Sequence, residues 1–169
     1  AGDLIRGETY SSVYYYGDDG LRYVFPNEDV YLSWYQTECP ASEDEFCDVF
    51  GDVIWLSDEA IASIQIGGNV TYKPGIKMLK INSDPTVYAV SRGSVLRPID
   101  SEEVAEELYG ERWNENIVDV PDSLFGNYEI GGSIELASQY DPDAEATDAY
   151  SIGSDRNLSA YTLVEITDQ

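Results

Sequence analysis

Short runs of β-forming residues, set off by Gly, Asp and Asn, are the dominant pattern along this chain. Tyr14 to Tyr16 and Arg22 to Phe25 flank Gly17-Asp18-Asp19-Gly20, whose residues tolerate positive φ, and this pattern predicts a β-hairpin. Val87 to Val90 and Val95 to Ile99 repeat it around Arg92-Gly93. After each hairpin the periodicity turns helical. Asn27 and Asp100 are the expected N-caps, with Glu103 completing a capping box, and Val104 and Leu108 form the buried stripe of the second of these helices. A second short helix is expected from Ser57 and from Pro121, each followed by an acid suited to a helix N-terminus. Each unit thus reads as strand, turn, strand, short helix, loop, short helix, strand.

The two units are copies of one another. Leu4-Ile5-Arg6 match Met78-Leu79-Lys80, Val13-Tyr14 match Val87-Tyr88, and Glu28-Asp29-Val30 match Glu102-Glu103-Val104, all at an offset of 74. Asp58 matches Asp122, and Ile66-Gly67-Gly68 match Ile130-Gly131-Gly132, at an offset of 64. The first unit is therefore longer by an insertion between Gln36 and Asp52, which leaves the flanking pattern intact and must be a loop. The expected fold is α+β and mainly β. Two pseudo-symmetric β-hairpin-plus-short-helix repeats, residues 2–72 and 76–136, form one domain over 1–136. Residues 137–157, with one Arg against five acids, read as an exposed acidic linker, and 158–169 as a C-terminal strand with Leu158, Leu163, Val164 and Ile166 able to pack, either back onto its own domain or against a neighbouring subunit.

Charge narrows the partners. The 33 Asp and Glu against nine Lys and Arg give a formal charge of −24, so nucleic acid and anionic membranes are excluded as partners that need a basic footprint. No apolar run is long enough to insert in a bilayer. Asp141, Asp143, Glu145 and Asp148 have the alternation that brings carboxylates round a hard cation, yet the string lacks the central Gly and terminal Glu of an EF-hand loop. A calcium site and a solvated acidic stretch are both open readings, and no other cofactor is expected. The 14 Tyr against four Phe favour half-exposed sheets and contact surfaces.

With no His in the chain, Ser-His-Asp and Cys-His nucleophiles and the usual zinc sets cannot be built. The Gly67-Gly68 and Gly131-Gly132 pairs lack the Walker lysine and the dinucleotide spacing, and read as helix-to-strand turns needing positive φ. A pair of carboxylates performing glycoside hydrolysis is the remaining catalytic route, and no pair stands out. Tyr31, Trp34, Tyr35, Trp55 and Trp113 offer either stacking faces for a glycan or core packing. Cys39 and Cys47 both lie in the insertion. A disulfide between them fits an oxidising compartment, two free thiols being the alternative. The start, Ala1-Gly2-Asp3, reads like the end left by signal-peptide removal. Asn69 and Asn157 head N-glycosylation sequons.

The tracts GDLIRG, VYYYGDDGLRYVFPNEDVYLSWY, IGGNVTYKPG, DPTVYAV, ELYGERW and DVPDSLFGNY resemble a secreted module of predicted cell-surface proteins in bacteria of the candidate phyla radiation (Patescibacteria). The resemblance covers residues 2 to 134. It implies export and an extracellular, cell-surface setting, and carries over no catalytic residues. The cysteine insertion and the acidic tail are departures from its pattern. Together these features lead us to expect a non-enzymatic structural module of a filament, surface layer or adhesin, self-associating or bound to other cell-surface polymers, with carbohydrate binding as the alternative.

Overall fold

The computed structural model describes residues 1–36 and 50–158. The first unit comprises β1 (Leu4–Gly7), β2 (Val13–Tyr16), β3 (Arg22–Val24), α1 (Glu28–Tyr35), β4 (Ile54–Leu56), α2 (Asp58–Ser63) and β5 (Ile66–Asn69). The second repeats that order with β6 (Met78–Ile81), β7 (Tyr88–Ser91), β8 (Val95–Pro98), α3 (Glu102–Tyr109), β9 (Ile117–Val120), α4 (Asp122–Phe125) and β10 (Glu129–Ile130). Each unit builds a five-stranded mixed sheet, ordered β4-β1-β2-β3-β5 and β9-β6-β7-β8-β10. In both, an antiparallel three-stranded meander gains one parallel strand on each side.

The register carries the duplication to single residues. Ile5 faces Tyr14 on one side and Ile54 on the other, while Leu79 faces Tyr88 and Val118. Arg22 faces Ile66, and Leu96 faces Ile130. These are the offsets of 74 and 64 read in the sequence, so the fold class expected there holds, as two similar units. Each sheet nevertheless has two strands more than the linear pattern suggested. The tracts at β1 and β6, and the stretches read as loops at β4 and β9, are strands of three or four residues, too short to announce themselves before their partners are known.

Local chemistry explains most boundaries. The Asn27 side chain accepts from Val30 N–H at 2.9 Å to start α1, and Ser57 accepts from Ala60 N–H to start α2. The cap of α3 is Ser101 rather than Asp100, its hydroxyl accepting from Val104 N–H at 3.3 Å. Gly67 lies inside β5 and Gly131 just beyond β10, so neither pair forms the expected helix-to-strand turn. Their first glycines are required by close approach instead: a Cβ on Gly67 would stand 2.6 Å from the Tyr23 ring, and one on Gly131 2.7 Å from Val95 Cγ1.

One core joins the units. Leu4, Tyr15, Phe25, Val30, Tyr31 and Trp34 from the first pack with Leu79, Tyr88, Val90, Leu96 and Val120 from the second. Ala149 and Ile152 belong to this same core, which overturns the exposed linker expected over 137–157. That segment forms a 3-10 turn at Ala137–Gln139, then α5 (Pro142–Asp148) and α6 (Ile152–Arg156). Asp141 caps α5 ahead of a proline at its first position, and Ser151 caps α6. Asp141, Asp143 and Asp148 face water, while Tyr140, Ala149, Ile152 and Asp155 turn inward.

Candidate functional site

The acids proposed for a cation are engaged differently. Asp141 Oδ1 accepts from Ala144 N–H at 3.1 Å, and Asp143 is exposed in the first turn of α5. Glu145 Oε2 accepts from the Arg92 backbone N–H at 2.9 Å, and Asp148 Oδ2 lies 3.4 Å from Arg92 Nη1. Among the described residues no three acids or cysteines converge as a metal site. Asn69 is half-buried, donating to Asn127 Oδ1 at 3.3 Å, and Asn157 is exposed in the left-handed conformation that ends α6. Leu158 is half-buried against the core. Cys39, Cys47, Leu163, Val164 and Ile166 lie outside the described residues.

The helices α5 and α6 clasp the seam between the units. Gly153 N–H donates to the Tyr15 hydroxyl of β2 at 3.1 Å, and the Tyr140 hydroxyl donates to the Val90 carbonyl of β7 at 2.7 Å. Asp155, 7% exposed, accepts from Gly93 N–H at 2.9 Å. Burial there pushes its carboxyl above the ordinary carboxylate range, against the lowering by the Gly93 bond and Arg156. Arg156 reaches both units: its guanidinium lies 5.3 Å from the centre of the Tyr23 ring and donates to Ser94 Oγ at 3.4 Å. Ser94 takes a φ of 62°, strained for a residue with a Cβ, and its hydroxyl lies 2.8 Å from that of Thr71. Sequence reasoning missed this clasp, although Asp141-Pro142 and Ser151 were visible helix starts.

The aromatic candidates divide by burial. Tyr31 and Trp34 are core residues, with Trp34 Nε1 donating to the Thr71 carbonyl at 2.8 Å, and Tyr35 packs beside Tyr31 with ring centres 4.9 Å apart. Trp113 is half-exposed in a 3-10 turn after α3. Trp55, on edge strand β4, is 61% exposed. The Arg6 guanidinium of β1 lies over its ring, 4.0 Å from the centre. Beside this pair runs a groove of about 490 Å³ lined by Arg6, Ser11, Val13, Phe50, Val53 and Trp55.

The second unit has a different pair at that position. Arg6 stands opposite Trp55 in the register, and the equivalent residues are Lys80 and Asp119, 3.9 Å apart as an ion pair. Asp119 puts a charge on edge strand β9, which discourages further pairing and wets the surface, whereas the arginine and indole of unit one present an aromatic face. The duplicated frame thus holds a salt bridge at this matched site in one unit and an arginine–indole pair in the other.

No family model, curated protein or solved structure matches the chain.

Proposed function

We propose that the protein is a non-enzymatic structural module of an extracellular assembly, joined to neighbouring subunits through its sheet edges. The observation that carries this reading is the pair Ile66 and Ile130. They occupy equivalent positions on the edge strands β5 and β10, and are 53% and 55% exposed. An isoleucine held in water at the same edge position of both copies suits addition of a further strand. The absence of histidine and the resemblance to secreted surface modules support the same reading.

The strand expected at Leu158 to Ile166 is the donor in this proposal. The described chain reaches Leu158 beside Tyr23, Gly67 and Glu129, in a cleft bordered by both β5 and β10. Truncation after Leu158 keeps Arg156 and the clasp, so it separates assembly from folding. Electron microscopy and light scattering should show polymers for the full chain and a folded monomer for the truncated one. Polymers that survive both the truncation and an Ile66→Lys, Ile130→Lys double substitution would sink the proposal. So would a full chain that stays monomeric at every concentration tried. An oxidising compartment favours a Cys39–Cys47 bridge, which predicts a gain of about two hydrogens in intact mass on reduction, and an unchanged mass would show two free thiols.

A further inference from the structure

We propose that the Trp55 groove is a saccharide-binding site that stacks a neutral pyranose ring on the exposed indole face. This inference does not depend on the assembly reading. Three observations carry it. The first is the ring itself, 61% exposed yet held in place by Arg6, so the platform is preorganised. The second is the groove beside it, about 490 Å³, within the range of roughly 300–1,000 Å³ usual for small-ligand clefts. Its lining mixes apolar Val13, Phe50 and Val53 with the Ser11 hydroxyl and the Arg6 guanidinium, which suits a ligand with one C–H face and a rim of hydroxyls. Arg6 Nε already donates to the Gly7 carbonyl at 3.3 Å, and its guanidinium forms no ion pair with a described residue, so its terminal nitrogens remain to bind ligand oxygens. The third is the contrast with unit two, where the matched Lys80–Asp119 pair has no aromatic face.

Competing occupants fit less well. An anionic polymer would meet a chain of charge −24 with one arginine at the groove. Ile54, the other exposed apolar residue of β4, is adjacent to Trp55 and so points to the opposite face of the sheet. The strand therefore offers no continuous apolar patch to a protein partner.

The test is a glycan array with the full chain, followed by titration of cellohexaose and chitohexaose watched at the Trp55 indole N–H by NMR. Neutral saccharides should be retained and the Trp55 signal should shift. Affinity should fall on the order of tenfold or more in Trp55→Ala, the scale set by losing one stacking anchor. Trp55→Tyr, which keeps a ring, should bind measurably, and Asp119→Ala should bind like the parent chain. An array on which no neutral saccharide is retained would overturn the proposal. Undiminished binding by a folded Trp55→Ala chain would do the same. A Trp55 signal that moves with protein concentration alone would assign the groove to a second copy of the chain and overturn it too.

Discussion

Single side chains tie distant parts of this molecule together, and their chemistry sets what each substitution does. Trp34 fills the core and gives its indole N–H to the Thr71 carbonyl, 37 positions away. Trp34→Phe keeps most of the ring but leaves that carbonyl without its buried donor, so a loss of about 1–3 kcal/mol is expected in denaturant melts. Asp155 behaves differently because its charge is the problem. Its folded carboxyl titrates above the ordinary 3.8, since burial penalises the anion. The stability it contributes is therefore fully present below pH 3.8 and is lost as pH rises through the raised value. Asp155→Asn keeps an oxygen to accept from Gly93 N–H and cannot ionise. The melting temperature of this variant should gain on that of the parent chain as pH rises from below 3.8 to neutrality. A constant difference across that range would refute the account. Asp155→Ala, which removes the acceptor, should be less stable than the Asn variant at neutral pH.

At the level of elements, the helices depend on caps and on one tightly enclosed glycine. Ser101→Ala should cost about 1 kcal/mol by stripping the hydroxyl that accepts from Val104 N–H, and Asp100→Ala much less. Gly75, at a φ of 76°, lies under α5, where a Cβ would collide with the Pro142 carbonyl. Gly75→Ala should lift α5 from the seam, with backbone amides of residues 144–149 exchanging faster with solvent while those of β6 and β7 stay protected. The duplicated frame was legible in the sequence because its spacing, 74 then 64, recurs in the strand register itself. The clasp was not, because its anchoring depends on few apolar side chains, Tyr140, Ala149 and Ile152, among many acids. Composition there reports the wet face of two short helices and hides the dry one. The Trp55 groove was legible only in part: the sequence supplies the ring, and parallel pairing of β1 with β4 supplies Arg6. Alignment of the repeats shows where the exchange of Asp119 for Trp55 falls, but not that both residues answer a cation on the neighbouring strand.

Over the whole molecule, a charge of −24 means self-repulsion opposes compaction. Melting temperatures should rise with added sodium chloride as screening shortens the reach of that repulsion, to about 8 Å at physiological ionic strength. Because Glu145 and Asp148 already hold Arg92, calcium is expected to act as a salt: at matched ionic strength, melts with calcium and with chelator should coincide. A higher melting temperature with calcium alone would show a specific site. The bond from Gly153 to Tyr15 spans 138 positions and has a consequence for how the protein comes into being. A chain emerging from a ribosome presents Tyr15 long before Gly153 has appeared. The early sheet must then persist with its seam open, its tyrosine hydroxyl in water and the Gly93 turn unclasped. Maturation waits on the arrival of α6, and a nascent chain paused before Ala149 offers that open seam to chaperones and proteases.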